Sequence, residues 1–147
     1  MYSAIVIPTD GSRHAEAAAK RACRLASSFD ATVHIVAVVD TGLFGSVRLP
    51  GDAGSATSLL TEEAEGNVQH LADIAREMGL EVQTDIRDGT PVDEILDYIE
   101  DHGADVVVMG SRGRGGIDRM VLGSVTEGVI RYSETDVLVV GDQSDGE

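Results

Sequence analysis

Gly110, Gly113, Gly123 and Ser124 are spaced as Gly-x2-Gly-x9-Gly-Ser, with Arg112, Arg114 and Arg119 between them. These residue types in this pattern can hold phosphate. A glycine lets a backbone N–H approach an anion with no Cβ in the way, and a helix N-terminus adds positive potential. The apolar run Ala104–Met109 precedes the loop and reads as a buried strand. Ser124-Val125-Thr126-Glu127 follows it and reads as a capping box with Ser124 as the cap. Strand, glycine-rich loop and helix start in that order make an anion cradle. Three of the eleven basic residues of a chain with net charge -15 fall in this one loop, which favours an anionic ligand. Gly115 and Gly116 serve loop freedom alone.

Other phosphate chemistries are excluded by residue type. A P-loop needs a lysine after its glycines, and Lys20, the single lysine, stands far from any glycine run. The dinucleotide fingerprint belongs in the first strand-to-helix turn, where this chain has Thr9-Asp10-Gly11-Ser12. A phospho-receiver domain would also need a late lysine. His14, His34, His70 and His102 are isolated from one another and from Cys23, so no metal-ligand spacing exists and each histidine is expected at the surface or its boundary. Cys23 lies among Ala18, Ala19, Ala22 and Ala26 and reads as a small core residue; a single cysteine forms no intramolecular disulfide.

The elements that must position the loop alternate. Strands are expected at Ser3–Pro8, Thr32–Val39, Glu81–Arg87, Ala104–Met109 and Asp136–Val140. Helices are expected over Ser12–Ser28, around Leu60–Met78 with Gly79 as its stop, after Thr90-Pro91 as cap and first position, and over Ser124–Tyr132. Val92, Ile95, Leu96 and Ile99 make the inner face of the third helix. Strict alternation predicts an α/β fold, a doubly wound, mostly parallel five-stranded sheet with helices on both faces, Rossmann-like in kind. Residues 1–141 form one domain, and 142–147 are an acidic tail expected to be disordered. If the first and fourth strands are neighbours, Pro8-Thr9-Asp10-Gly11 and the Gly110–Ser124 loop line one crevice at the switch in strand order. The long segment Asp40–Thr57 reads as a lid over the ligand or as a disordered excursion.

Charge and hydropathy bound the setting. The acidic excess is spread along the chain, so nucleic acid is disfavoured as a partner. Abundant Asp and Glu with one lysine fit a protein working in concentrated salt, a halophilic source. No stretch approaches a membrane span, and the N-terminus enters a strand directly, so a cytoplasmic protein is expected.

Gly110-x2-Gly113-x9-Gly123-Ser124 resembles the ATP-binding signature of the universal stress protein family, and the resemblance runs in register along the whole domain. Ile5-Val6-Ile7-Pro8-Thr9-Asp10-Gly11-Ser12 looks like the family's first strand and turn, and Ala37-Val38-Val39-Asp40 like its second strand end. Val106–Gly113 resembles the fourth strand and loop, and Asp136–Val140 the last strand. Thr135-Asp136 departs from the pattern, since family members often carry a proline there. The resemblance implies ATP as the ligand. No acid cluster for a metal is apparent in the residues themselves, although Asp10 or Asp118 could hold Mg²⁺ through the phosphates. Asp10 would hydrogen-bond the ribose, and Val38 would hold adenine by its backbone. Gly110, Gly113, Gly123 and Ser124 would contact the phosphates, and Pro8, Thr9, Met109, Arg112 and Val125 complete the binding set. Asp10 has a second reading as a cap for the first turn. The resemblance also implies a homodimer through Asp136–Val140.

Asp118 is the loop's one carboxylate and arginines flank it, so no obvious general base is present. A nucleotide-binding regulator read by other proteins is therefore favoured. The alternatives are a slow ATP hydrolase or self-phosphorylating protein with Ser111 or Ser124 as acceptor, and a structural stress domain with an empty pocket.

Overall fold

The computed structural model describes residues 2–40, 52–111 and 122–141, and within 52–57 it describes the backbone alone. The elements are β1 (Ala4–Pro8), α1 (Arg13–Phe29), β2 (Thr32–Val39), α2 (Asp52–Glu77), β3 (Val82–Asp88), α3 (Pro91–His102), β4 (Val106–Gly110), α4 (Ser124–Tyr132) and β5 (Asp136–Val140). Among the described residues the strands form one five-stranded sheet in the order β3-β2-β1-β4-β5. Each of the four pairings is parallel. The doubly wound fold expected from the alternation is the fold observed.

Winding direction explains where the helices lie. From β1 to β2 to β3 the chain steps one way across the sheet, and right-handed crossovers place α1 and α2 on one face. From β3 it jumps back past β1 to β4 and on to β5, which places α3 and α4 on the other face. Ile5 and Ile7 meet the alanine-rich side of α1, while Val6 points oppositely into a cluster with Ile95, Tyr98, Val107 and Val129. Ala18, Ala19, Ala22, Cys23 and Ala26 are buried on α1, so this helix can lie close to the sheet. Cys23 is the small core residue its neighbours implied.

Local signals set most boundaries. The Ser12 side chain accepts from the Ala15 N–H at 3.1 Å and starts α1. Leu80 N–H reaches back to Ala75 C=O at 3.2 Å across Gly79, the closing bond of a Schellman turn. Gly103 ends α3 in the left-handed region. Thr90 and Pro91 stand at the N-cap and in the first turn of α3 as expected, though the Thr90 side chain makes no capping bond. One boundary is corrected. The loose segment Asp40–Thr57 is shorter than expected, because α2 begins at Asp52: Ala53 and Ala56 favour helix, but Gly54, Ser55 and Thr57 do not, and no apolar stripe marks the turn. The inner face of α3 carries Ile95 and Ile99 buried, with Val92 and Leu96 packed against the same cluster, as expected, and adds Tyr98, which is 1% exposed. Residues 41–51, with the lid reading, and the tail 142–147 lie outside the described residues.

Candidate functional site

β1 has β2 on one side and β4 on the other, so the switch in strand order falls between β1 and β4. Pro8 shapes this place. The Thr9 N–H donates to Val36 C=O at 2.8 Å, toward β2. Successive residues of a strand alternate sides, so residue 8 is the one whose N–H would be turned toward β4. Proline has no N–H. The ladder with β2 therefore continues to Pro8↔Val36, whereas pairing with β4 stops at Val6↔Val107. The sheet opens at its carboxyl end between these two strands.

The chain leaves β1 through a tight turn. Asp10 is exposed, and its Oδ1 accepts from the Ser12 N–H at 3.0 Å. The turn-capping reading of Asp10 is thus realised, with the carboxylate at the mouth of the crevice. Thr9 is buried, and its hydroxyl accepts from the Gly11 N–H at 3.1 Å. Thr9, Gly11 and Ser12 also line a cleft closed on its far side by Asn67, His70 and Leu71 of α2.

Val38 lies two residues beyond the Pro8↔Val36 pair, where β1 has already turned away. Val36 directs its C=O toward β1 and Val39 directs its C=O toward Gly89 beside β3. By alternation the N–H and C=O of Val38 face the side that β1 has vacated. Such an adjacent donor and acceptor suit the edge of a heterocyclic base. Arg87, paired with Val38 on β3, is committed elsewhere: it bonds Asp85 at 3.0 Å and Asp101 at 3.4 Å and stands 4.9 Å above the Tyr98 ring.

The base of the glycine loop is closed by hydrogen bonds. Ser111 N–H donates to Val140 C=O at 3.0 Å, and Gly123 N–H donates to Ser111 C=O at 2.8 Å. The two ends of the segment 112–122 therefore meet at one point. Met109 is buried, and Gly110 lies beneath the first turn of α1. Thr126, a buried residue of α4, donates its hydroxyl to Gly110 C=O at 2.8 Å. Val125 is half-buried beside it and packs against the cluster of α3. Arg112 and Gly113 lie outside the described residues, as do Arg114, Gly115, Gly116, Asp118 and Arg119.

Ser124 is not the helix cap. Gly123 holds the N-cap position, and the Glu127 N–H that a capping box would use donates to Gly123 C=O at 2.9 Å. Ser124 is the first helical residue and its side chain is exposed. The sequence pattern pointed to the wrong hydroxyl: Thr126, not Ser124, makes the structural bond. Its signal in the sequence is no more than a threonine in the first helical turn.

Two histidines are also corrected. His14 and His34 are buried, at 8% and 5% exposure. His14, in the first turn of α1, lies against Gly110. His34 lies on β2 with its Nδ1 at 2.8 Å from the Tyr98 hydroxyl, and its ring meets His102 edge-on at 5.4 Å. Burial, aided by the charge of His102, lowers the His34 pKa below the ordinary imidazole value. Isolation in sequence hid this cluster, since β2 and α3 bring its members together. Among the described residues no group of histidine, cysteine or carboxylate side chains is arranged to hold a metal ion, and no helix is long and apolar enough to cross a membrane.

The sequence model of the universal stress protein family matches residues 1–141. Universal stress protein MJ0531 of Methanocaldococcus jannaschii is 39% identical over 140 residues, spanning 95% of this chain and 82% of that protein. The structure from which the biochemical function of the hypothetical protein MJ0577 was assigned superimposes with a TM-score of 0.85 at 35% identity, covering 95% of this chain and 96% of the other. A universal stress protein solved in complex with cAMP superimposes with a TM-score of 0.64 at 27% identity, covering 95% and 97% of the two chains.

Proposed function

Since the chain belongs to the universal stress protein family, we propose that it is a regulatory protein that binds ATP in the crevice between β1 and β4. The observation that carries this reading is the interrupted β1–β4 ladder beside the pinned base of a glycine loop. The cAMP complex of a similar protein supports an adenine nucleotide as the ligand class. In this reading Val38 meets adenine through its backbone, and Asp10 accepts from the ribose hydroxyls. Gly110, Gly113, Gly123, Ser124 and Val125 face the phosphates, with Arg112 as countercharge and Pro8, Thr9 and Met109 as walls. Asp10 is the described carboxylate able to hold Mg²⁺ through the phosphates, which would neutralise part of their charge.

The residues supply donors and cations for holding a nucleotide, and the reading is one of binding whose state other proteins detect. Chemical denaturation of protein purified from its host, followed by identification of the nucleotide released, tests it directly. Stoichiometric ATP, with binding lost on Gly113→Val, is the expected result. An empty protein that takes up no added ATP refutes it. One observation favours a second reading: the Ser124 hydroxyl is exposed and caps nothing, so it is accessible as a phosphoryl acceptor. Label from γ-phosphate appearing on Ser124 would establish self-phosphorylation.

The free side of β5 suits a closed two-fold dimer, because among the described residues β5 pairs with β4 alone. A cytoplasmic, salt-adapted dimer completes the proposal.

A further inference from the structure

We propose that Thr126 is a positioning residue that makes the crevice acceptable to phosphate, an inference that rests on the ATP-binding reading above. Ser111 directs its N–H toward β5, where Val140 C=O accepts it. By alternation, Gly110 directs its C=O the other way, toward β1 and into the crevice. A bare carbonyl oxygen aimed at an anion repels it. Thr126 donates its hydroxyl to this carbonyl at 2.8 Å, in a buried bond spanning 16 positions of sequence.

The neighbouring acceptors are used in the same way. Ser111 C=O takes the Gly123 N–H, Val140 C=O takes the Ser111 N–H, and Gly123 C=O takes the Glu127 N–H. The N–H groups of residues 124–126 have no intrahelical partner, because α4 begins at Ser124. The acceptors at the base of the loop are thus consumed while helix-terminal donors remain. Gly110 has little room to turn its carbonyl away by shifting toward α1, because the place a Cβ would take is only 2.7 Å from the His14 carbonyl oxygen. The Thr126 hydroxyl also ties the first turn of α4 to the end of β4, which fixes where those donors point.

This role predicts an effect on phosphate and not on the nucleoside. ATP and adenosine are titrated separately against wild type, Thr126→Val and Thr126→Ser at one fixed salt concentration. Valine matches threonine in shape and lacks the donor. It is expected to weaken ATP roughly tenfold while adenosine stays within about twofold, and serine is expected to restore ATP. The ratio of the two affinities does not depend on the fraction of protein that is folded. Thr126→Ala, which adds no bulk, gives the same ratio test should the valine variant not fold. Unchanged ATP affinity in the variants overturns the proposal. Equal losses of ATP and adenosine also overturn it, since they mean a structural role alone. Wild type that binds no ATP refutes the function itself, and is recognised before any variant is compared.

Discussion

A Cβ placed on Gly110 would stand 2.7 Å from the backbone carbonyl oxygen of His14. The glycine that heads the phosphate-type signature is thus required first by helix packing: α1 crosses the end of β4 with no room for a side chain. Gly110→Ala must push α1 outward or bend β4. We expect a loss of roughly 1–3 kcal/mol in denaturant unfolding, nucleotide present or not. A variant as stable as wild type would mean that α1 can yield at no cost.

His34 and Tyr98 predict an acid limb. Burial beside Tyr98, aided by the charge of His102, holds the His34 pKa below its ordinary value, with Arg87 over the Tyr98 ring and Asp85 nearby. The folded pKa of His34 is below that of the unfolded chain, near 6.5, so the unfolded state binds more protons in between. Stability is therefore full above about pH 6.5 and falls as pH drops through that value toward the folded pKa. His34→Gln keeps a hydrogen-bonding group and removes the proton site. Its urea midpoint should fall less than that of wild type between pH 6.5 and the onset of carboxylate titration. Parallel pH profiles would assign the acid limb to other groups.

The same two residues show what the sequence could and could not reveal. Apolar runs such as Val106-Val107-Val108 and punctuation such as Thr90-Pro91 carry local information, so order, type and most ends of the elements are readable from them. The pairing of β1 with β4 was a condition that the sequence left open, and the structure meets it. The contacts His34–Tyr98, Thr126–Gly110 and His14–Gly110 span 64, 16 and 96 positions and leave no periodic mark. Ser124 misled because a capping box is defined by four adjacent residues, whereas the helix start was set by Gly123 and by the bond from Thr126 to β4.

Val140 C=O accepts from Ser111, so the odd-numbered residues of β5 direct their backbone outward, away from β4. Val139→Pro deletes one outward N–H and leaves the inward ladder whole. If β5 pairs with its copy, light scattering should report a dimer for wild type and a monomer for this variant, with circular dichroism unchanged. A dimer that survives the proline would move the interface elsewhere.

A net charge of -15 on 147 residues repels itself in dilute buffer. Potassium chloride raised from about 0.1 M toward molar concentrations shortens the screening length from about 10 Å to about 3 Å. The thermal midpoint should rise over that range by several degrees. A flat response would remove the argument for salt adaptation.

The pairing of β1 with β4 also dates the site within the life of the chain. During synthesis, β1, β2 and β3 emerge first and can join through their own crossovers. The crevice has only one wall until residues 106–110 cross back and settle beside β1. A nascent chain stopped at His102 has the Thr9-Asp10 turn and the Val38 backbone, and nothing to face them. A ligand held in this crevice would therefore stabilise only the chain in which β4 is already in place beside β1.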